Sequence, residues 1–228
     1  MSEEAKMKKL VLIGLMLVGL VSSVFGKAII KDISDPQGAG KLLVNKHFNE
    51  YDSKENPVGY WWCGHTALKV AMYSESRKSD YKNLEDIHNT FSKNDVTGLY
   101  NNNRICGWKK CSTYQDLEYA LTTDYKYYGS YGKYPNNYTD FFNKVKVSIN
   151  NGHPIIVPWP YKYSVGHFWV IVGYKNYTNS SKNVIYLRDV NKRTPKYGYW
   201  DVKVNPHTFW SEGYNNGGGS MHMLFVIK

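Results

Sequence analysis

Residues 60–66 read YWWCGHT, and residues 67–76 continue as ALKVAMYSES. Small and apolar side chains recur at helical spacing in this stretch, at Ala67, Leu68, Ala71 and Met72. The pattern predicts a helix that begins near Cys63 and ends near residue 76. The positive end of a helix dipole and the free N–H groups of the first turn favour a thiolate. Cys63 is therefore a candidate nucleophile; a buried packing residue, half of a disulfide and a metal ligand are the alternatives.

The remaining elements fall into two groups, with helices first and strands later. Helices are predicted over residues 84–92, from Ser112 with Gln115 in capping-box spacing, and over residues 138–150. Short apolar or alternating runs follow, PIIVPWP, GHFWVIVGY, NVIYLRDV, YGYWDVKV and MHMLFVIK, with a short helix in NPHTFWSEG before the last run. Residues 27–55 indicate a leading arm or a first strand. This order predicts an α+β domain in which N-terminal helices pack on a mostly antiparallel sheet.

The start of the chain has the pattern of a signal peptide. A basic region comes first, at Lys6, Lys8 and Lys9. The apolar run at residues 10–21 is shorter than the roughly 20 residues that span a bilayer. Val24 and Gly26 satisfy the small-residue rule, which predicts a signal peptide at residues 1–26 with cleavage after Gly26. Residues 27–228 are then a single domain of a secreted or periplasmic protein, and an uncleaved anchor is the alternative.

Composition and charge limit the class of partner. The chain has 228 residues, of which 42% are hydrophobic and 21% charged, as in a globular domain. A net charge of +10 favours anionic partners such as a cell-envelope surface, although solvated lysines that aid solubility explain it as well. The basic residues do not cluster and no nucleic-acid motif is visible, so we expect no nucleic-acid partner. We expect a monomer with no transmembrane segment after signal cleavage.

Two further cysteines lie in RICGWKKC, at Cys106 and Cys111. An exported protein meets an oxidising compartment, so a small loop disulfide between the two is predicted. The alternative is a metal clip, but no second pair or His-x-His cluster completes it, and we expect no metal and no cofactor. A Cys106–Cys111 disulfide leaves Cys63 as the odd cysteine, which is then either reactive or deeply buried.

A thiolate nucleophile needs a base, and the base needs a partner that orients it. His167 follows a glycine at the start of the strong strand SVGHFWVIVGY, and Asp189 lies in the next strand, NVIYLRDV. Neighbouring antiparallel strands can bring the two side chains together, although the register cannot be read from the sequence. Gly64, directly after Cys63, is expected to let a substrate backbone approach the thiol.

Four segments in the same order resemble the C39-like branch of the papain-like cysteine peptidases. They are WWCGHTALKVAMY, FFNKVKVSINNGHPIIVPW, GHFWVIVGY and VIYLRDV, and the resemblance spans roughly residues 50–228. It implies a papain-like fold, with Cys63 as the nucleophile, His167 as the base and Asp189 as the orienting acid. It also implies an exported cysteine peptidase, or a related thiol acyl hydrolase, that acts on peptide or amide bonds of a peptide or protein substrate.

The chain departs from the family pattern at three positions. The family often has proline in place of His65 and usually has proline in place of Val190. It also tends to carry a glutamine about six residues before the cysteine, which supplies an oxyanion donor, and Pro57 stands there. Asn56 is the nearest amide and is the candidate replacement. Because losing one oxyanion donor lowers the rate about 10²–10³-fold, an inactive papain-like module that binds peptides or envelope material stays open as an alternative. A further alternative is an acyl transferase that forms a thioester.

Overall fold

A computed structural model describes residues 28–46, 48, 62–76, 83–96, 112–161, 164–190, 200–216, 219 and 221–228. Three predictions of the sequence lie outside these residues: the signal peptide at residues 1–26, the oxyanion candidate Asn56, and the disulfide between Cys106 and Cys111. Among the helices that are described, none combines the length and the apolar composition needed to cross a bilayer.

The described residues contain five α-helices: α1 (Cys63–Ser76), α2 (Leu84–Lys93), α3 (Tyr114–Tyr119), α4 (Tyr138–Asn150) and α5 (Pro206–Asn216). Helix α3 continues into a π-helical turn at Ala120–Asp124, and a 3₁₀ turn lies at Ser180–Lys182. Asparagine side chains cap α2 and α4, because Asn83 accepts from the N–H of Asp86 and Asn137 accepts from the N–H of Asp140.

The capping box of α3 lies one residue later than the sequence spacing predicted. Thr113 and Asp116 form it, in place of Ser112 and Gln115. The Asp116 carboxylate accepts both the N–H and the hydroxyl of Thr113, each at 2.8 Å. A charged acceptor makes stronger hydrogen bonds than a glutamine amide, and it also complements the helix dipole.

Eight strands form one antiparallel sheet in the described part of the chain: β1 (Ile30–Asp35), β2 (Gly38–Leu43), β3 (Tyr131–Lys133), β4 (Ile155–Tyr161), β5 (Ser164–Tyr177), β6 (Val184–Asp189), β7 (Val202–Val204) and β8 (Met223–Phe225). Their order is β1-β2-β5-β4-β8-β3, and β6 pairs with β5 and with β7. The α+β prediction is confirmed. The leading segment forms a hairpin where a leading arm or a first strand was expected. The three-residue strand β3 was not predicted because it has no alternating apolar pattern.

Helix α1 runs through the core against β5. Five of its apolar residues have no exposed surface, namely Ala67, Leu68, Val70, Ala71 and Met72. On β5, Val170, Ile171 and Val172 are equally buried. Burying one leucine-sized side chain contributes about 1.5–3 kcal/mol, so a helix buried on several sides has little freedom to shift. The packing therefore holds the Cys63 end of α1 in a defined place beside β5.

Candidate active site

The thiol of Cys63 lies at the N-terminal end of α1. The first helical hydrogen bond runs from the N–H of Thr66 to the carbonyl of Trp62, at 3.0 Å. The three N–H groups before Thr66 therefore have no carbonyl four residues back within the helix. The first turn of α1 contains no acidic residue that would neutralise this positive end. Cys63 is half-buried and not in a disulfide, so its thiol remains accessible at the positive end of the helix.

His167 lies near the start of β5 and is 7% exposed. Burial lowers the pKa of His167, but hydrogen bonds to Asp189 and to Cys63 outweigh it and raise that pKa to about 10. The Nε2 atom of His167 lies 3.1 Å from Oδ1 of Asp189, which leaves Nδ1 for the thiol. The hydrogen bonds to Asp189 and Cys63 therefore favour the charged, imidazolium form of His167.

The register of β5 and β6 explains how Asp189 reaches His167. Trp169 is the residue directly across from Asp189 in the ladder, and His167 lies two residues before Trp169 on β5. Asp189 therefore contacts His167 along the diagonal, a separation that side chains of this size can bridge. Successive side chains alternate between the two faces of a strand, so a shift of one residue would turn Asp189 away from the imidazole.

Trp169 completes the contacts around the imidazole. Its ring meets that of His167 edge to face, with centroids 5.5 Å apart and planes at 89°. This geometry is favourable for aromatic pairs, and the large indole limits rotation of the imidazole. The sequence places Trp169 two residues after His167, on the same face of β5, and this alternation is the signal that identifies it.

A stack of aromatic rings holds the chain as it enters α1. Trp62 packs against the imidazoles of His65 and His88, with ring centroids 5.1 Å and 5.0 Å away, and the two imidazole centroids lie 6.0 Å from each other. His65 has no exposed surface, and burial, together with the neighbouring His88, holds its pKa well below 6.5. His65, which replaces the proline often found in the family, is therefore a neutral packing residue close to Cys63.

Gly64 is needed because another side chain occupies the space beside it. A Cβ atom there would lie 2.0 Å from Oγ of Ser112 and 3.3 Å from the ring of Phe168. The missing side chain of Gly64 thus faces α3 and β5, and the glycine is buried. The expectation that Gly64 opens space for a substrate is wrong; the residue allows close packing behind Cys63.

A buried polar network behind Asp189 was not found by sequence reasoning. Asp201 accepts the backbone N–H of Asp189 at 3.1 Å and the Nη1 donor of Arg188 at 3.2 Å. The Nε donor of Arg188 reaches the side-chain oxygen of Asn45 at 2.7 Å. The available signal is Arg188 itself, because a charged residue inside the apolar run VIYLRDV requires a buried partner.

Three of the predicted site residues, Cys63, His167 and Asp189, come together in the structure. Asn56, Cys106 and Cys111 lie outside the described residues. Within the described ranges, no group of three histidine, cysteine or acidic side chains is arranged to hold a metal ion.

A cysteine at the start of a buried helix, next to a histidine on an antiparallel sheet, is the arrangement of the papain-like α+β fold. The family model for the Peptidase C39 like family matches residues 45–219, and the chain belongs to that family. Membership supports a cysteine peptidase type of function in general terms. No curated protein sequence matches the chain.

Proposed function

We propose that this chain is an exported cysteine peptidase, or a related thiol acyl hydrolase, that cleaves peptide or amide bonds with Cys63, His167 and Asp189. The observation that supports this most directly is the position of His167 between a thiol and a carboxylate. Its pKa of about 10 favours an imidazolium at neutral pH, which pairs with a thiolate. Membership in the Peptidase C39 like family supports the same chemistry in general form.

Acylation begins with attack of the Cys63 thiolate on the carbonyl carbon of the scissile bond. A carbon–sulfur bond forms, and the carbonyl electrons move to oxygen to give an oxyanion. The backbone N–H groups at the start of α1 are oriented to donate to this negative charge. His167 then gives its proton to the leaving nitrogen as the carbon–nitrogen bond breaks, and a thioester on Cys63 remains.

Deacylation uses the neutral His167 as a general base. A water molecule gives a proton to His167 and attacks the thioester carbon. Collapse of the second tetrahedral intermediate breaks the carbon–sulfur bond, releases the carboxylic acid and restores the thiolate and imidazolium. Asp189 keeps the imidazole in one orientation through both steps and stabilises its charged form.

Asn56 is proposed as the second oxyanion donor, in place of the glutamine that the family tends to carry. Asn56→Ala should lower kcat about 10²-fold and leave the alkylation of Cys63 unchanged, because an oxyanion donor acts on the transition state of acyl transfer. Asn94→Ala, on the C-terminal side of α2, is a matched control that removes an amide elsewhere. Equal kcat values for Asn56→Ala and the parent protein would remove Asn56 from the site.

The decisive experiment measures alkylation of Cys63 by iodoacetamide between pH 4.5 and 9.5, with the labelled cysteine identified by peptide mass spectrometry. A thiolate–imidazolium pair predicts substantial labelling well below pH 7, and His167→Ala should abolish this acid-range labelling. His207→Ala is the matched control, since His207 is an exposed histidine on α5. Labelling that rises only near pH 8.5 would identify an ordinary thiol and overturn the proposal.

The alternatives give different outcomes with a library of peptide substrates. Binding without cleavage, at full thiol reactivity, identifies the inactive binding module. Capture of the acyl group by an added amine, in place of water, identifies an acyl transferase. Hydrolysis that requires Cys63 supports the proposed peptidase.

Export and processing are proposed on the basis of the N-terminal sequence. The mature protein is expected to begin at Lys27, to be secreted or periplasmic, and to contain a Cys106–Cys111 disulfide. N-terminal sequencing of the exported protein and a non-reducing peptide map test these two points separately. Recovery of an uncleaved N-terminus in the membrane fraction would contradict the signal peptide.

A further inference from the structure

The triad acid lies at a position that needs external support. Asp189 is the last residue of β6, and residue 190 already forms a turn. Within the described residues, the ladder between β5 and β6 also ends there, with Trp169 opposite Asp189. Strand ends fray, and a carboxylate that must reach diagonally to His167 tolerates little displacement.

Asp201 ties this end of β6 to the chain that follows. Its own N–H donates to the carbonyl of Leu187 at 2.8 Å. Its Oδ2 atom accepts the backbone N–H of Asp189 at 3.1 Å. Asp201 therefore holds β6 at two points, one on either side of residue 188, and fixes the backbone from which the Asp189 side chain extends.

The charge of Asp201 is compensated by a buried arginine. Asp201 and Arg188 are 1% and 2% exposed, and Nη1 of Arg188 lies 3.2 Å from Oδ1 of Asp201. Asn45, which is 6% exposed and follows β2, accepts from Nε of Arg188 at 2.7 Å. A buried ion pair is retained only when its donors and acceptors are satisfied, and breaking it by removing one partner is strongly destabilising.

We propose that Asp201 is a positioning residue for His167: it fixes the end of β6 so that Asp189 meets the imidazole, and Arg188 and Asn45 hold Asp201 in place. The inference rests on the proposed function, since it assigns Asp201 to the same site. A purely structural network would stabilise the fold without any specific effect on the ionisation of His167. A positioning network must alter that ionisation when it is disturbed, and this difference makes the proposal testable.

The experiment compares Asp201→Asn, Asp201→Glu and Asn45→Ala in the full chain. The primary measurement is the pKa of the His167 imidazole, obtained from ¹H–¹⁵N NMR of the ring nitrogens. We expect Asp201→Asn to lower this pKa by at least about one unit, because Asp189 loses its alignment with Nε2. Asp201→Glu should recover part of the shift, and Asn45→Ala should shift the pKa in the same direction by less.

Two controls separate positioning from loss of stability. Asp35→Asn makes the same carboxylate-to-amide change as Asp201→Asn, but outside the site, at a residue of the β1–β2 hairpin that pairs with Lys175. Ile185→Val removes a methyl group from a fully buried position on β6, so it destabilises the same strand without touching the network. Both variants should leave the pKa of His167 unchanged.

The outcome is interpretable whether or not the protein is a peptidase. An unreactive Cys63 in the parent protein would reject the proposed function, while the titration of His167 would still decide the role of Asp201. If Asp201→Asn does not fold, the milder Asn45→Ala variant decides it. A His167 titration curve that coincides with that of the parent protein in the folded variants would overturn the proposal.

Discussion

Two buried histidines near Cys63 have pKa values that are shifted in opposite directions. His167, on the sheet side, is 7% exposed, and its pKa is raised to about 10. His65, in the first turn of α1, has no exposed surface, and its pKa is held well below 6.5. Burial alone lowers the pKa of a histidine, so the difference comes from the partners. His167 contacts a carboxylate and a thiol, whereas His65 contacts aromatic rings and another imidazole.

The difference distinguishes a group suited to chemistry from one suited to packing. A charged imidazole next to a thiol can move a proton, and a neutral imidazole in a stack fills volume. His222 is a second example of the packing type. It stacks on Tyr114 with ring centroids 3.9 Å apart, and burial lowers its pKa to about 4.

The largest effect is expected from Cys63→Ala. Hydrolysis should fall by more than about 10⁴-fold, because the covalent step is lost and only binding and oxyanion stabilisation remain. The pKa of His167 should also fall, since Cys63 is one of the two groups that raise it. Steady-state kinetics and NMR titration of the imidazole measure the two effects. A rate of hydrolysis within tenfold of that of the parent protein would place the nucleophile elsewhere. Circular dichroism is the control that shows whether the variant is folded.

Asp189→Asn should reduce kcat about 10²-fold, within the usual range for a disturbed general acid–base group. The variant keeps the size of the side chain but removes the negative charge, so the pKa of His167 should move down and the acid-range labelling of Cys63 should weaken. Asp32→Asn, whose carboxylate pairs with Lys41 on the β1–β2 hairpin, is the matched control. If the labelling of Cys63 depends on pH in the same way in Asp189→Asn and in the parent protein, Asp189 does not act on His167.

Gly64→Ala tests the packing behind the thiol. The added Cβ would lie 2.0 Å from Oγ of Ser112, an overlap that should destabilise the fold by about 1–3 kcal/mol. The free energy of unfolding in urea measures this loss. The double variant with Ser112→Gly should recover most of it, since the overlapping hydroxyl is gone. A single variant as stable as the parent protein would show that α3 moves aside easily.

The smallest expected effect is the pH dependence of the folding stability, which has opposite signs for His167 and His65. The folded pKa of His167 is raised, so its contribution to stability is complete below about pH 6.5 and is lost as the pH rises through about 10. The folded pKa of His65 is lowered, so its contribution is present above pH 6.5 and is lost as the pH falls. Urea unfolding of the parent protein and of His65→Phe at pH 5 and pH 8 separates the contribution of His65 from that of His167. His65→Phe should lose less stability on acidification; an equal loss would mean that His65 does not cause the acid sensitivity.

Much of the fold could be predicted because its patterns are local. The apolar spacing after Cys63 indicates α1, and the runs around His167 and Asp189 indicate β5 and β6, since periodicity reports directly on which side of an element is buried. The capping box of α3 was misplaced by one residue because two overlapping pairs, Ser112 with Gln115 and Thr113 with Asp116, have the required spacing. The structure uses the second pair, in which Asp116 is the stronger acceptor. Strand β3 was missed because its pairing with β8 comes from distant residues.

The residues of the candidate site also fall into two groups, those that the sequence identifies and those that it does not. Cys63, His167 and Asp189 are identifiable from residue type, order and context. Asp201 and Asn45 are not, because 12 and 143 residues separate them in sequence from the residues that they hold. Their role depends on which strand ends meet, and no local pattern contains that information.

The sequence by itself determined the α+β class, the helix that begins at the cysteine and the three side chains of the candidate triad, because each is encoded by local spacing or residue chemistry. The tertiary structure alone decided the register that brings Asp189 diagonally to His167, the contact that requires Gly64, and the network that anchors Asp189. It also decided which buried histidine is charged. Those features depend on long-range packing and on the partners that packing provides, so the same residue type is an imidazolium in one region and a neutral ring in the other.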